Sequence, residues 1–183
     1  MDAFRFSLTE REKSFLKDLV LTSIKRRFDP SLPPPPPIPT DKLAERLGAF
    51  VTLSIRGRLR GCIGNIVGVK PLHETIVEMA HHAAFQDPRF EPLTHAELAG
   101  LEIEISILGP VTPCPDLKAI EVGRHGLIVR RGHSSGLLLP QVAVDWKWDR
   151  ETFLSHTCQK AGLPGDCWKQ PDTAVFWFEA EVF

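Results

Sequence analysis

Five consecutive prolines, Pro33 to Pro37, set the tightest limit on how this chain can fold. They have no backbone N–H to donate and a φ fixed near about −65°, so neither a helix nor the interior of a sheet can run through them, and the segment takes an extended polyproline II course. The stretch Asp29 to Pro39, DPSLPPPPPIP, therefore reads as a spacer that either wraps over the surface or projects from it, with a PxxP docking sequence formally present. It divides a single expected domain, residues 1–183, into an N-terminal helix (9–28), a proline-rich linker (29–40) and a body (41–183).

Ahead of the linker, Phe15, Leu16, Leu19, Val20, Ser23, Ile24 and Phe28 fall on one helical stripe. Thr9 and Glu12 stand at capping-box spacing at its start. Lys25, Arg26 and Arg27 fill its last turn, where cations suit the negative end of the helix dipole; the alternative is a patch for phosphate or RNA.

In the body, Asp41 to Leu47 predicts a short helix stopped by Gly48. Ala49 to Ile55 and Arg58 to Ile63 predict a hairpin turning at Arg56-Gly57. Pro71 to Phe85 predicts a second helix with Leu72, Ile76, Met79, Ala80 and Ala83 inward, and Thr94 caps a short HAELAG turn. Leu101 to Leu108 alternates as a half-buried strand, with Glu102, Glu104 and Ser106 outward. After a loop from Gly109 to Val122, a second hairpin is expected from Leu127 to Arg131, the turn RGHSSG, and Leu137 to Leu139. Asp149 caps a helix that stops at Gly162, and Thr173 to Phe183 closes the chain as a strand.

Helices and antiparallel hairpins in blocks, rather than in strict alternation, give an α+β class. The order hairpin, glycine, apolar strand, amide, helix occurs twice, from Phe50 and from Gly126. This suggests a two-lobed internal pseudo-repeat with Asn65 and Gln141 at corresponding strand ends.

At 43% hydrophobic residues the chain can build a sizeable core. Lys plus Arg (22) nearly cancels Asp plus Glu (23), so no global field draws it onto nucleic acid or an anionic membrane, and neither is an expected partner. No apolar run approaches the roughly 20 residues that cross a bilayer, and MDAFRFSLTEREK lacks a signal peptide's apolar core, so a cytoplasmic location is expected. Cys62, Cys114, Cys158 and Cys167 are scattered without a CxxC pair, which reads as free thiols in a reducing compartment. His73-Glu74 opens like HExxH, but Val77 occupies the second histidine position. With no Walker A or GxGxxG sequence either, no metal or nucleotide cofactor is implied.

The hairpin carries the unusual chemistry. Strict alternation would place Arg58, Arg60 and Cys62 on one face and Leu59, Gly61 and Ile63 on the other. A thiol beside two guanidiniums favours its thiolate, making Cys62 a candidate nucleophile, while the same arginines can hold a carboxylate or phosphate. Gly61 and Gly64 allow close approach of a ligand or of another backbone, and a buried core cysteine explains the same composition. Asp87 and Arg89 flank a proline after the second helix, where they either brace the loop or face a ligand. Gln141 either caps a turn or binds a ligand. Trp146, Trp148 and Trp168 read as core or interface aromatics.

Taken together, LRGCIGN, QDPRFEPLT, LEIEISIL, GLLLPQVAVDWKWD and KAGLP resemble the AMMECR-one domain family, whose prokaryotic members are called AmmeMemoRadiSam system protein A. The likeness covers nearly the whole chain, and its most specific part is the unbroken hexapeptide Leu59 to Gly64. The resemblance implies a two-lobed α+β intracellular protein without an established reaction, with Memo-like and radical SAM proteins as partners and the hexapeptide as functional site. On this reading Arg58 and Arg60 bind a small anion, Cys62 attacks, Asn65 and Gln141 orient the ligand, and Asp87 and Arg89 support the wall. The alternative is a non-catalytic adaptor for a protein or RNA. Direct nucleic-acid regulation would need a continuous basic surface joining Lys25 to Arg27 with Arg58 and Arg60.

Overall fold

Apart from the segment Asp41 to Leu47, helix and strand boundaries follow the sequence cues closely through the first hundred residues of the computed structural model, which describes residues 7–183. The opening MDAFRF, part of the stretch judged for a signal peptide, lies outside the described residues. The described residues are mixed helix and antiparallel strand, the expected α+β class, and fall into two compact units. The first holds residues up to Leu108 together with 181–183; the second holds Gly109–Ala180. No helix among the described residues is long and apolar enough to cross a membrane.

In the N-terminal unit, α1 (Glu10–Phe28) starts at the expected capping box: the Glu12 carboxylate accepts from the Thr9 amide at 2.7 Å, and the Glu12 amide donates back to the Thr9 hydroxyl at 3.3 Å. Its stripe is buried at Leu16, Leu19, Val20, Ser23 and Ile24. The proline segment then runs back over the unit as an anchored strap. The Arg26 guanidinium donates to the Leu32 carbonyl at one end, and the Thr40 hydroxyl donates to Glu12 at the other. The helix expected over Asp41 to Leu47 is only a 3-10 turn, Asp41–Ala44, because the chain must straighten to enter the next strand at Gly48.

That strand, β1 (Gly48–Ile55), pairs antiparallel with β2 (Arg58–Asn65) across a two-residue turn in which Arg56 has φ 52° and Gly57 φ 70°. Two successive positive φ values are the signature of a type I′ turn, whose twist matches the strands it joins. α2 (Leu72–Phe85) lays its fully buried face, including Leu72, Ile76, Met79, Ala80 and Ala83, against the sheet. β3 (Leu101–Leu108) pairs with the other side of β1, so the order in this unit is β2-β1-β3. Ile105 and Phe183 exchange two backbone hydrogen bonds, of 2.9 and 3.1 Å.

One expectation about β3 fails: Ser106 is buried, as are all residues from Ile105 to Leu108. Alternation holds only from Leu101 to Glu104, where one face is open. Beyond that point the strand is covered on both faces, and a small hydroxyl fits where a glutamate would not.

In the C-terminal unit, the two-residue β4 (Thr112–Pro113) and β5 (His125–Arg131) both pair with β7 (Ala174–Val182), and β5 also pairs with β6 (Ser134–Leu138). The second hairpin is tighter than RGHSSG suggested. Arg131 pairs with Ser134, leaving only Gly132 and His133 in the turn. A short helix unanticipated in the sequence, α3 (Pro140–Asp145), follows with Pro140 in its first turn. α4 (Arg150–Lys160) begins at Asp149, whose carboxylate accepts from the Thr152 amide at 2.8 Å, and the chain turns off at Gly162 with φ 73°. Trp148 and Trp168 pack against this unit's core, whereas Trp146 is 69% exposed and stacks on Trp148.

The expectation of free thiols holds for Cys62 and Cys114 but not for the other pair. Cys158 of α4 and Cys167 form a disulfide with Cα atoms 6.0 Å apart. The helix end and the turn at Pro164-Gly165 fold the chain back so that two cysteines nine residues apart meet.

Both hairpins carry a glycine where a helix end rides on the second strand. An added Cβ at Gly61, opposite Leu53, would meet the Ala83 carbonyl of α2. One at Gly136, opposite Val129, would meet the backbone of Lys160 and Ala161 at the C-terminal end of α4. The recurrence of hairpin, helix and crossing glycine agrees with the pseudo-repeat as an order of elements. Asn65 and Gln141 are not equivalent in it, since Asn65 ends β2 and Gln141 lies in the first turn of α3.

Candidate functional site

The hairpin does not alternate strictly. Leu53 pairs with Gly61 but Ser54 pairs with Leu59, so Arg60 is the extra residue of a β-bulge. A bulge offsets the pleat by one position, and residues directly opposite one another share a face. Arg58, opposite Ile55, therefore shares the α2-side face with Leu53 and Gly61, while Leu59, opposite Ser54, joins the face of Thr52 and Cys62. The expected cluster of Arg58, Arg60 and Cys62 on one face is thus broken up by a single inserted residue.

Arg60 is occupied. Its Nε and one terminal nitrogen reach both oxygens of Glu97 at 2.7 and 3.2 Å, and the latter nitrogen also donates to the Pro92 carbonyl at 3.3 Å. Glu97 is also the capping partner of Thr94, accepting from its amide and its hydroxyl, each at 2.8 Å. The Arg60 guanidinium, with help from Thr94, pulls the Glu97 pKa down to about 2. The T-x-x-E spacing announced the cap, but nothing in the sequence announced the link to Arg60.

Cys62 is held by its backbone. Its amide donates to Asp87 Oδ2 at 2.9 Å, and its carbonyl accepts from Arg89 at 3.2 Å. Asp87 and Arg89 form a two-point pair, Nε to Oδ1 at 2.9 Å and a terminal nitrogen to Oδ2 at 2.7 Å. Only 1% of the Asp87 side chain is exposed. The Arg89 hydrogen bonds hold Asp87 far below the ordinary carboxylate range against the opposing effect of burial. β2 is the outer strand of this unit's sheet order, and the Asp87–Arg89 pair covers the outward backbone groups of Cys62, as edge strands require. Of the two roles open to this pair in the sequence, bracing is the one its hydrogen bonds perform.

The Cys62 thiol is half-buried and accepts from the Thr52 hydroxyl at 3.2 Å. Gly64 lies under the ring of its partner Phe50, and Asn65 pairs with Ala49 at the strand end. Both hexapeptide glycines thus meet protein atoms. Gln141, in α3, belongs to the C-terminal unit. Among the described residues no group of three His, Cys, Asp or Glu side chains converges on a metal site.

An open cleft of about 860 Å3 lies at the hairpin tip, between the turn and the segment leading into β3. Arg56 and Arg58 line it with Ile55, Leu59, Ala96 and Ala99, and the Arg60–Glu97 ion pair forms part of its wall. Neither Arg56 nor Arg58 has an ion-pair partner among the described residues. Arg56 was read only as a turn residue; its position in a type I′ turn is what projects it beside Arg58.

A family model described as AMMECR1 matches residues 18–183. A protein from Thermococcus gammatolerans is 50% identical over 160 residues, 81% of this chain and 78% of that one. Protein MK0488 of Methanopyrus kandleri is 46% identical over 185 residues, 96% of this chain and 89% of that one. A crystal structure of the uncharacterized protein PH0010 from Pyrococcus horikoshii is similar with a TM-score of 0.88 at 40% identity, over 97% of this chain and 93% of that one.

Proposed function

Because this chain belongs to the AMMECR1 family, we propose that it is an anion-binding component of a small-molecule or modification pathway, and that the hairpin tip rather than the cysteine is its ligand site. The observation that carries this reading is the pair of uncompensated guanidiniums, Arg56 and Arg58, on a cleft of about 860 Å3. Guanidiniums grip carboxylate or phosphate in a fixed two-point geometry. Apolar walls from Ile55, Leu59 and two alanines suit the body of an organic acid or phosphate ester. The hexapeptide then acts as a rigid support: Gly61 seats the strand on α2, Arg60 ties it to Glu97, and the Asp87–Arg89 pair fixes Cys62.

The experiment is native mass spectrometry of the protein purified from cell extract, comparing wild type with Arg58→Ala and Cys62→Ala. A bound acid lost from Arg58→Ala and retained by Cys62→Ala supports the reading. A ligand covalently attached at Cys62 would restore the nucleophile role and sink it.

A second reading is favoured by exposed apolar side chains at both ends of β2, namely Leu59 at 45% and Val67 and Val69 at 64% each. Such residues suit a protein partner, and the Memo-like and radical SAM proteins implied by the family are the partners to test. A pull-down with Val67→Ser/Val69→Ser that loses no partner relative to wild type would remove this reading.

A further inference from the structure

A second cavity, of about 550 Å3, lies in the N-terminal unit between the proline strap, α1 and α2, and shares no lining residue with the hairpin cleft. We propose that it binds a small organic ammonium, a molecule with one ring-sized apolar body and one protonated amine. Phe15 and Leu19, one helical turn apart on α1, and Val77 of α2 supply an apolar wall, and Pro35–Pro37 close the opposite side. Proline rings and a phenylalanine present flat apolar surface without hydrogen-bonding groups, which suits a ring and offers nothing to a polar body.

The polar side of the cavity fixes the charge of the ligand. Its groups come from the α2 stretch that begins HE, His73, Glu74 and Glu78, with Lys70. Lys70 is already spent on Glu78 at 2.9 Å. His73 Nδ1 lies 3.0 Å from the Leu43 carbonyl; a carbonyl only accepts, so Nδ1 carries the hydrogen of that contact. Glu74 has no ion-pair or hydrogen-bond partner among the described residues. The cavity therefore offers one uncompensated carboxylate, Glu74, while its one ammonium is paired with Glu78. An ammonium, with three donors and no acceptor, is the complement of that set, and a carboxylate ligand is repelled by it.

The site is also built in advance. Arg26 and Thr40 anchor the strap at either end, and Thr40 is bonded to the same Glu12 that caps α1. Prolines leave little backbone freedom between those anchors, so the wall does not have to be ordered when a ligand arrives. The broken metal motif thereby acquires a use: Val77, which excludes a zinc site, is part of the apolar wall.

Isothermal titration at pH 7 with 2-phenylethylammonium, 2-phenylethanol and 3-phenylpropionate tests the proposal on the full chain. The ammonium is expected to bind roughly fivefold or more tightly than the alcohol, as one partly exposed charge pair allows, and the carboxylate not at all. Glu74 is solvent-exposed, so its variants keep the fold. Glu74→Gln should bring the ammonium down to the level of the alcohol, and Glu74→Lys should reverse the preference in favour of 3-phenylpropionate. Equal binding of ammonium and alcohol by wild type, no change in Glu74→Gln, or no binding of any probe would each overturn it.

Discussion

Replacing Gly61 by alanine isolates the structural role assigned to the hexapeptide. The added Cβ would stand on the Ala83 carbonyl oxygen and 2.9 Å from its carbon, where an ordinary contact is 3.4 Å or more. Strand and helix must therefore part by at least about 0.5 Å, the difference between those two distances, and both sides of the contact are backbone, which cannot rotate away. β2 is tied to β1 along its length, and α2 is fully buried on the opposing face at Ile76, Ala80 and Ala83. The cost expected from overpacking so rigid a contact is about 3 kcal/mol or more. Because α2 leads directly into Asp87, the parted helix also withdraws the acceptor from the Cys62 amide. Urea unfolding followed by circular dichroism reads the loss as a lower midpoint at unchanged slope. The control is Gly57→Ala, where φ is 70° but the added Cβ meets nothing within 4 Å, so only about 1 kcal/mol of backbone strain is expected. A Gly61→Ala protein within 0.5 kcal/mol of wild type, or no worse than Gly57→Ala, would refute the reasoning.

Other consequences follow from single contacts. Asp87→Asn removes a buried carboxylate bonded to Arg89 and to the Cys62 amide and should cost about 3 kcal/mol at pH 7 by urea unfolding. Asp87 and Glu97 both have depressed folded-state pKa values, so the stability they contribute is complete above about pH 4.5, the upper end of the unfolded carboxylate range. It is lost as pH falls below that range, with the Glu97 part gone once pH passes about 2, and Asp87→Asn should show a shallower acid limb than wild type. Reducing the Cys158–Cys167 bridge, which closes a loop nine residues in separation, should cost about 2–3 kcal/mol, read as a shift in urea midpoint with dithiothreitol; an unchanged midpoint contradicts the bridge. Arg60→Gln should cost about 1 kcal/mol through Glu97, read as a lower urea midpoint.

Much of the fold was legible because its signals are local. The capping box at Thr9, the apolar stripe of α1 and the inward face of α2 depend on spacing along one helix and survive intact. The Arg56-Gly57 turn likewise carries its own backbone requirement. What the sequence hid depends on partners distant along the chain. The bulge at Arg60 exists only in the pairing of β2 with β1, yet it decides which side chains share a face with Cys62. Ser106 continues an alternating pattern and is buried all the same, because cover over a strand is not written in the strand. Cys158 and Cys167 meet only after a helix end and a turn bring them back together. Asp87 and Arg89 were visible as a pair, but their hydrogen bonds to the backbone of Cys62, twenty-five residues before Asp87, were not.

The central claim, that the hairpin tip binds an anion through Arg56 and Arg58 while Cys62 is structural, is tested most directly by titrating phenyl phosphate into wild type, Arg58→Ala and Cys62→Ala. The account predicts an affinity that falls at least about tenfold in Arg58→Ala, weakens with salt, and is unchanged in Cys62→Ala. Binding that survives Arg58→Ala and disappears in Cys62→Ala would contradict it.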